Sequence, residues 1–187
     1  MNFDLYDFDK TVFPVDSESV FYLFCLIRRP WIIIMLPYQL ICILLFALKI
    51  GGDKMKARFF YFLRLINTEK MVKKFWEKNE KYIYPIFNPE NRDLDTVVCS
   101  ASPEFLLEPI CKKYKVHTLI ATRLDPKTGK LTGLNCKGEE KVRRLKSQMP
   151  DAHFVKVFSD SLKSDAPIFA LGEENYHAVK GTLTRIK

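Results

Sequence analysis

Two carboxylates one residue apart, with a hydroxyl two positions further on, stand near the start of the chain in Asp7-Phe8-Asp9-Lys10-Thr11, entered directly from the apolar run Phe3-Asp4-Leu5-Tyr6. A strand that ends this way brings the first carboxylate and a neighbouring backbone carbonyl together at its open edge, an all-oxygen setting for a hard cation. Two acids so close repel unless a cation or a shared proton offsets them, a cost that a purely structural strand end avoids. On the pentapeptide alone an acidic turn after an edge strand explains the residues as well, since short motifs recur by chance.

Three further groups fall at the ends of predicted elements. Cys99-Ser100-Ala101-Ser102 follows a strand and precedes a helix, so Ser100 and the nearby amides, that of Ala101 among them, suit a phosphate oxygen; an ordinary helix cap is the plainer alternative. Gly138-Glu139-Glu140-Lys141 opens a helix and carries the Lys141 ammonium toward the same edge, with Lys137 as a nearby competitor for an anionic substrate. Ser159-Asp160-Ser161-Leu162-Lys163-Ser164-Asp165 follows a buried strand; Asp160 joins Asp7 as an oxygen ligand in the few-carboxylate, part-hydrated style of Mg²⁺, and Asp165 orients from behind.

The elements that must position these groups are readable from punctuation and periodicity. Asp16 or Ser17 caps a helix running to about residue 26, and Asn67 or Thr68 caps another over 68–82, in which Met71, Val72, Phe75 and Trp76 form a packing stripe. After the breakers Pro85, Asn88, Pro89 and Asn91, strands are expected at 95–99, 117–121 and 154–158. Helices are expected at 103–113, started by Ser102, and at 138–147, with a small hairpin around 126–133. Alternation of this kind predicts an α/β fold with a parallel sheet and a ligand site at the carboxyl ends of its strands. The tail, 176–187, adds at most a last strand, and His117, His153 and His177 receive no catalytic role.

The ordered set Asp7-x-Asp9-x-Thr11, Ser100, Lys141, and Asp160 with Asp165 resembles the four motifs of the haloacid dehalogenase superfamily of phosphatases over essentially the whole chain. The resemblance implies a Rossmann-like core from residues 1–15 and 90–187 and an inserted all-helical cap at 16–89, similar to that of the phosphoserine-phosphatase-like branch, subfamily IB. Asn135 to Leu145 and the long apolar cap resemble the subgroup that includes phosphatidylglycerophosphatase C. It further implies that Asp7 attacks phosphorus while binding Mg²⁺. Asp9 would act as acid and base and lend the metal its carbonyl, Ser100 and Lys141 would hold the phosphoryl oxygens, and Asp160 would complete the metal site. An acid two residues after the nucleophile points to a phosphatase rather than to the superfamily's ATPases. The last motif departs from the usual pattern in having Ser159 before Asp160 and five positions between Asp160 and Asp165.

Residues 30–48 contain no charged side chain, and Arg28, Arg29 and Lys49 flank them. The run is close to the roughly twenty residues that span a bilayer, yet one crossing would separate Asp7 from the later acids, and two would need about forty apolar residues. Two short apolar helices hinged at Pro37 fit better, lying in an anionic membrane interface or else forming a helical core. The net charge of +8 arises between Arg28 and Lys81, where twelve Lys or Arg face four acids. Its interleaved Phe and Lys follow helical periodicity rather than a base-stacking platform, so no nucleic-acid partner is expected. Five scattered cysteines without metal spacing read as reduced thiols, and the acids at 4, 7 and 9 exclude a signal peptide, which together predict a cytoplasmic enzyme peripheral to the membrane. The expected activity is Mg²⁺-dependent hydrolysis of a phosphomonoester, either a phospholipid phosphate such as phosphatidylglycerophosphate or a soluble ester such as phosphoserine. A binding module without turnover, on membrane or nucleic acid, is the reading from another class.

Overall fold

A computed structural model describes residues Met1–Lys187. Six strands form one sheet in the order β3-β2-β1-β4-β5-β6: β1 (Asn2–Tyr6), β2 (Asp95–Pro103), β3 (Thr118–Thr122), β4 (His153–Ser159), β5 (Gly172–Val179) and β6 (Thr182–Arg185). All neighbours run parallel except β5 and β6, which are antiparallel. Burial along β1 and β2 is nearly continuous rather than alternating, as expected where helices cover both faces. β1 lies between β2 and β4, with Tyr6 opposite Val98 on one side and Phe158 on the other, so Asp7 emerges at the point where the strand order reverses.

Every element between β1 and β2 is helical: α1 (Ser17–Arg28), a 3₁₀ turn (Pro30–Met35), α2 (Leu36–Ala47), α3 (Asp53–Phe59), a second 3₁₀ turn (Phe60–Leu65), α4 (Thr68–Asn79) and three short 3₁₀ turns up to Asn91. Asp16 caps α1 by accepting from the Ser19 amide at 2.8 Å, and Asn67, rather than Thr68, caps α4 through the Lys70 amide at 2.9 Å. The Met71, Val72, Phe75 and Trp76 stripe is buried. These helices share one core of 27 buried residues with the sheet, in which Phe8 and Phe13 of the first loop meet Phe75, Trp76 and Phe87, and Phe21 packs on Phe75. The other sheet face packs an 11-residue core against α6 (Glu139–Gln148) and α7 (Ala166–Phe169).

The apolar run passes from the 3₁₀ turn into α2 at Met35 and Leu36, both helical in backbone, so it is one continuous helical span rather than two helices hinged at Pro37, which sits in the first turn of α2 where its missing N–H costs nothing. Ile32, Gln39 and Cys42 face the body, and Gln39 is held there by the Tyr22 hydroxyl (2.6 Å) and the Phe59 carbonyl (3.1 Å). The opposite face is bare: Ile33, Ile34, Leu40, Ile41, Ile43, Leu44, Phe46 and Leu48 are all exposed. Pro30–Ala47 has a mean hydropathy of 2.1 and is long and apolar enough to cross a membrane, but only 17% of it is buried.

Three further expectations are corrected. Ser102 does not cap α5 (Glu104–Lys113): β2 continues to Pro103, which occupies the cap position, and the Ser102 hydroxyl is drawn to Asp9 instead. The hairpin near 126–133 reduces to one antiparallel bridge, Leu124 with Leu131, around a turn in which the Asp125 carboxylate takes the Lys127 and Thr128 amides. The tail forms two strands, β5 and β6, rather than one at most.

Candidate active site

Asp7 leaves β1 with its amide still donating to the Phe158 carbonyl of β4 at 2.9 Å, which fixes the side chain at the sheet edge. The Phe8 ring is fully buried, and its carbonyl accepts from the Val12 and Phe13 amides, so the loop winds tightly. Lys10 takes a left-handed backbone conformation (φ 60°), which for a residue with a Cβ stores of the order of 1 kcal/mol that the surrounding loop must hold. Asp7 and Asp9 come out on the same edge but in different settings.

Lys141 is the centre of the first setting. Its Nζ lies 2.7 Å from Asp7 Oδ1 and 3.0 Å from Asp165, with all three side chains almost fully buried. Burial acts to lower the ammonium, but the two carboxylates outweigh it and hold the charge well above the ordinary lysine range. For Asp7, burial pushes the carboxyl up to about 7 against the opposing pull of Lys141. Asp165 is fixed from its other side by the Ser159 hydroxyl at 2.6 Å.

Asp9 makes no ion pair. Its Oδ1 accepts the Ser17 amide at 2.9 Å and its Oδ2 the Ser102 hydroxyl at 2.5 Å, while Ser17 and Ser102 touch each other at 3.1 Å. Burial raises its carboxyl to about 6, with those hydrogen bonds opposing. The first residue of α1 is thus tied directly to the second acid of the loop.

Asp160 follows β4 with its main chain pinned on both sides: its amide donates to Thr11 Oγ1 at 2.9 Å, and its carbonyl lies 2.9 Å from His177 Nε2 on β5. No other residue donates to its carboxylate, which burial raises, with Lys10 and Lys141 opposing. Ser100 is buried in β2, three residues before its end, and accepts the Ser102 amide at 3.1 Å, which leaves its hydroxyl hydrogen unengaged. The β2 to β3 register shifts between Ser100 and Pro103, a bulge beside the site, and there the Ala101 carbonyl takes Thr122 (2.7 Å) and Lys56 (3.2 Å). Lys137 is exposed, makes no ion pair and does not reach Asp7; Lys141 does.

A model of haloacid dehalogenase-like hydrolases matches residues 5–170. The chain belongs to that family. No curated protein matches it. Among solved structures, a protein of unknown function from Bordetella pertussis Tohama I aligns with a TM-score of 0.71 at 17% identity, covering 90% of this chain and 86% of that one. A phosphoserine phosphohydrolase-like protein from Francisella tularensis subsp. tularensis SCHU S4 gives 0.60 at 13% identity, with 97% and 90% covered. A phosphoserine phosphatase in its apo form gives 0.54 at 16% identity, with 92% and 84% covered. At these identities the likeness is one of fold, and it extends over nearly the whole of each chain.

Hydrolases of this family in general use Mg²⁺, and the donors at this edge fit such an ion. The second oxygen of Asp7, the Asp9 carbonyl and the Asp160 carboxylate take no hydrogen bond from any other residue, and all are hard oxygen donors. No three His, Cys, Asp or Glu side chains converge, so the set suits a cation that keeps several waters rather than one enclosed by protein.

In this hydrolase the structure also shows supporting residues that pattern reasoning did not find. Ser17 and Ser102 hold Asp9, His177 holds the Asp160 carbonyl, and Arg144 donates to the Ala121 (2.8 Å) and Leu134 (2.6 Å) carbonyls, fixing the loop that opens α6. Arg144 lies three residues beyond Lys141, one turn along the same helix, which was the available signal for it. For the serines and His177 no local signal existed, because their partners are 8, 93 and 17 residues away.

Proposed function

We propose that the chain is a Mg²⁺-dependent phosphomonoester hydrolase that works through an aspartyl-phosphate intermediate on a phosphorylated lipid at an anionic membrane surface. The observation that carries the catalytic part is the Lys141 ammonium, held between Asp7 and Asp165 at the strand-reversal point, with an uncharged-partner acid, Asp9, beside it. In this reading an Asp7 oxygen attacks phosphorus as the bond to the leaving alcohol breaks. Asp9 gives that oxygen its proton, and a carboxyl raised to about 6 is suited to the task near neutral pH. The Asp9 carboxylate then takes a proton from the water that attacks the phosphoaspartate, so inorganic phosphate leaves and Asp7 is restored. Ser100 donates its free hydroxyl hydrogen to a phosphoryl oxygen, and Lys141 stabilises the transferring charge. Asp7, the Asp9 carbonyl and Asp160 hold Mg²⁺, which when bound neutralises charge on the phosphoryl group.

The lipid part rests on α2. Its exposed apolar face adjoins Arg28, Lys49, Lys54 and Arg58, all exposed, and Asp53 is the only acid from residue 23 to 66. Because Ile32, Gln39 and Cys42 anchor the segment to the body, it lies along a surface rather than through it, in the manner of an interfacial helix with a cationic rim. The test is Mg²⁺-dependent phosphate release from detergent-dispersed phosphatidylglycerophosphate against phosphoserine, with Asp7→Asn as the blank. Release from neither ester ends the catalytic reading; equal release from both, or preference for phosphoserine, ends the lipid one.

A further inference from the structure

A groove of about 370 Å³ lies among α1, α2 and α3. Its lining includes Asp16, Glu18 and Ala101, the chain neighbours of the Ser17 and Ser102 that hold the Asp9 carboxylate. Its apolar walls are Cys42, Ile43 and Phe46 of α2 and Met55 and Phe59 of α3. Ile43 is 51% and Phe46 46% exposed, so the groove opens onto the bare face of α2. Of its two cations, Lys56 is engaged by Glu18 at 3.0 Å and by the Ala101 carbonyl at 3.2 Å, whereas Lys137 is exposed and unpaired.

We infer that this groove seats the leaving alcohol, and that it selects phosphomonoesters whose alcohol carries an alkyl or acyl chain. The inference rests on the assignment of Asp9 as the acid that protonates the departing oxygen. Ser17 and Ser102 hold the Asp9 carboxylate, and the groove is lined by their chain neighbours, which makes it the apolar cavity next to that acid along the chain. Its lining combines charged and polar groups from the start of α1, the Ala101 backbone and Lys137 with apolar side chains from α2 and α3, the two kinds of surface that an amphiphilic ester presents. Lys137 remains as the cation available to a polar group between phosphate and chain. Since Ile43 and Phe46 belong both to the groove and to the apolar face, a lipid could reach Asp7 with its chain still in contact with the surface on which α2 lies.

The experiment compares ethyl phosphate with dodecyl phosphate below its micelle concentration. Binding is read by calorimetry on Asp7→Asn protein, and turnover by phosphate release from the unaltered chain. Each methylene buried in the groove is expected to tighten binding about fourfold, so the dodecyl ester should bind at least about a hundredfold tighter than the ethyl ester. Ile43→Ser and Phe46→Ser, each combined with Asp7→Asn for the calorimetry, are half-exposed changes that the fold tolerates. Each should narrow that gap about tenfold. Equal affinity for the two esters, or a gap that persists in both variants, overturns the assignment. A gap that closes in the variants while the unaltered chain releases no phosphate from either ester supports the groove and ends the phosphatase reading instead.

Discussion

At the carboxyl edge of the sheet Asp7, Lys141 and Asp165 are charged and buried, while on the outer side of α2 Ile34, Leu40, Ile41 and Leu44 are apolar and exposed. Both regions reverse ordinary burial, and they differ in how the reversal is compensated. Each of these three charges has a partner within the chain, at 2.7 or 3.0 Å, so the trio is complete apart from what Mg²⁺ and substrate would add. The α2 face has no partner in the chain, and patches of this extent on a single protein mark an interaction surface. The first region is a finished device, and the second is half of one.

The largest expected effect removes the device while keeping its shape. Asp7→Asn removes the proposed nucleophile with little change in volume, and phosphate release should fall at least about 10³-fold. The melting temperature should hold or rise, because the neutral amide escapes the burial that pushes the Asp7 carboxyl up and Lys141 keeps Asp165. A loss of activity that merely follows a loss of folding would break the distinction between a functional and a structural cluster. Lys141→Met is the complement: it leaves Asp7 and Asp165 buried without their cation, a loss of about 3–5 kcal/mol that lowers the melting temperature by roughly 10 °C. Adding Asp7→Asn to Lys141→Met should recover part of that stability, and strict additivity would show that the three groups do not act as a unit.

Much of this edge was legible in the sequence because each acid or hydroxyl follows an apolar strand whose end is marked by composition. Asp7 and Asp160 directly follow β1 and β4, Ser100 lies in the last part of β2, and adjacency in the sheet then brings them together. The choice between Lys137 and Lys141 was not legible. Lys137 lies just before Gly138, the N-cap of α6, and Lys141 in the first turn of the helix, and composition does not distinguish the exposed ammonium from the buried one. Ser102 was misread as a helix cap because its competing partner, Asp9, lies 93 residues away. The apolar run was recognised, but its bare outer face was not separable from a buried core by hydropathy, since both are uncharged. Gln39, a polar residue inside the run, was the one local sign of which side faces the body.

A smaller effect should come from His177, which touches neither acid side chain and acts on the Asp160 carbonyl alone. His177→Ala frees that peptide on one side, with Thr11 still holding the other, and residues that orient a metal ligand in this way usually alter affinity 10- to 100-fold. The Mg²⁺ concentration needed to raise the melting temperature should increase by about that factor, with a smaller change in His177→Gln. An unchanged Mg²⁺ dependence would place Asp160 outside the metal site or His177 outside its support.

The smallest effects should come from the rim of the α2 face, and they separate its two components. A basic side chain near an anionic surface contributes about 1 kcal/mol, so Arg28→Gln and Lys49→Gln should each weaken sedimentation with phosphatidylglycerol-containing vesicles about fivefold. Both changes should lose their effect in high salt, where the Debye length falls to about 3 Å. Ile34→Asp, at a largely exposed position of the same face, should weaken binding at every salt concentration because it removes apolar area that the membrane would bury. Binding that responds to the charge variants but not to Ile34→Asp would mean that the apolar face stays in water and only its cations meet the membrane. The contrast with the sheet edge would then lie in charge alone.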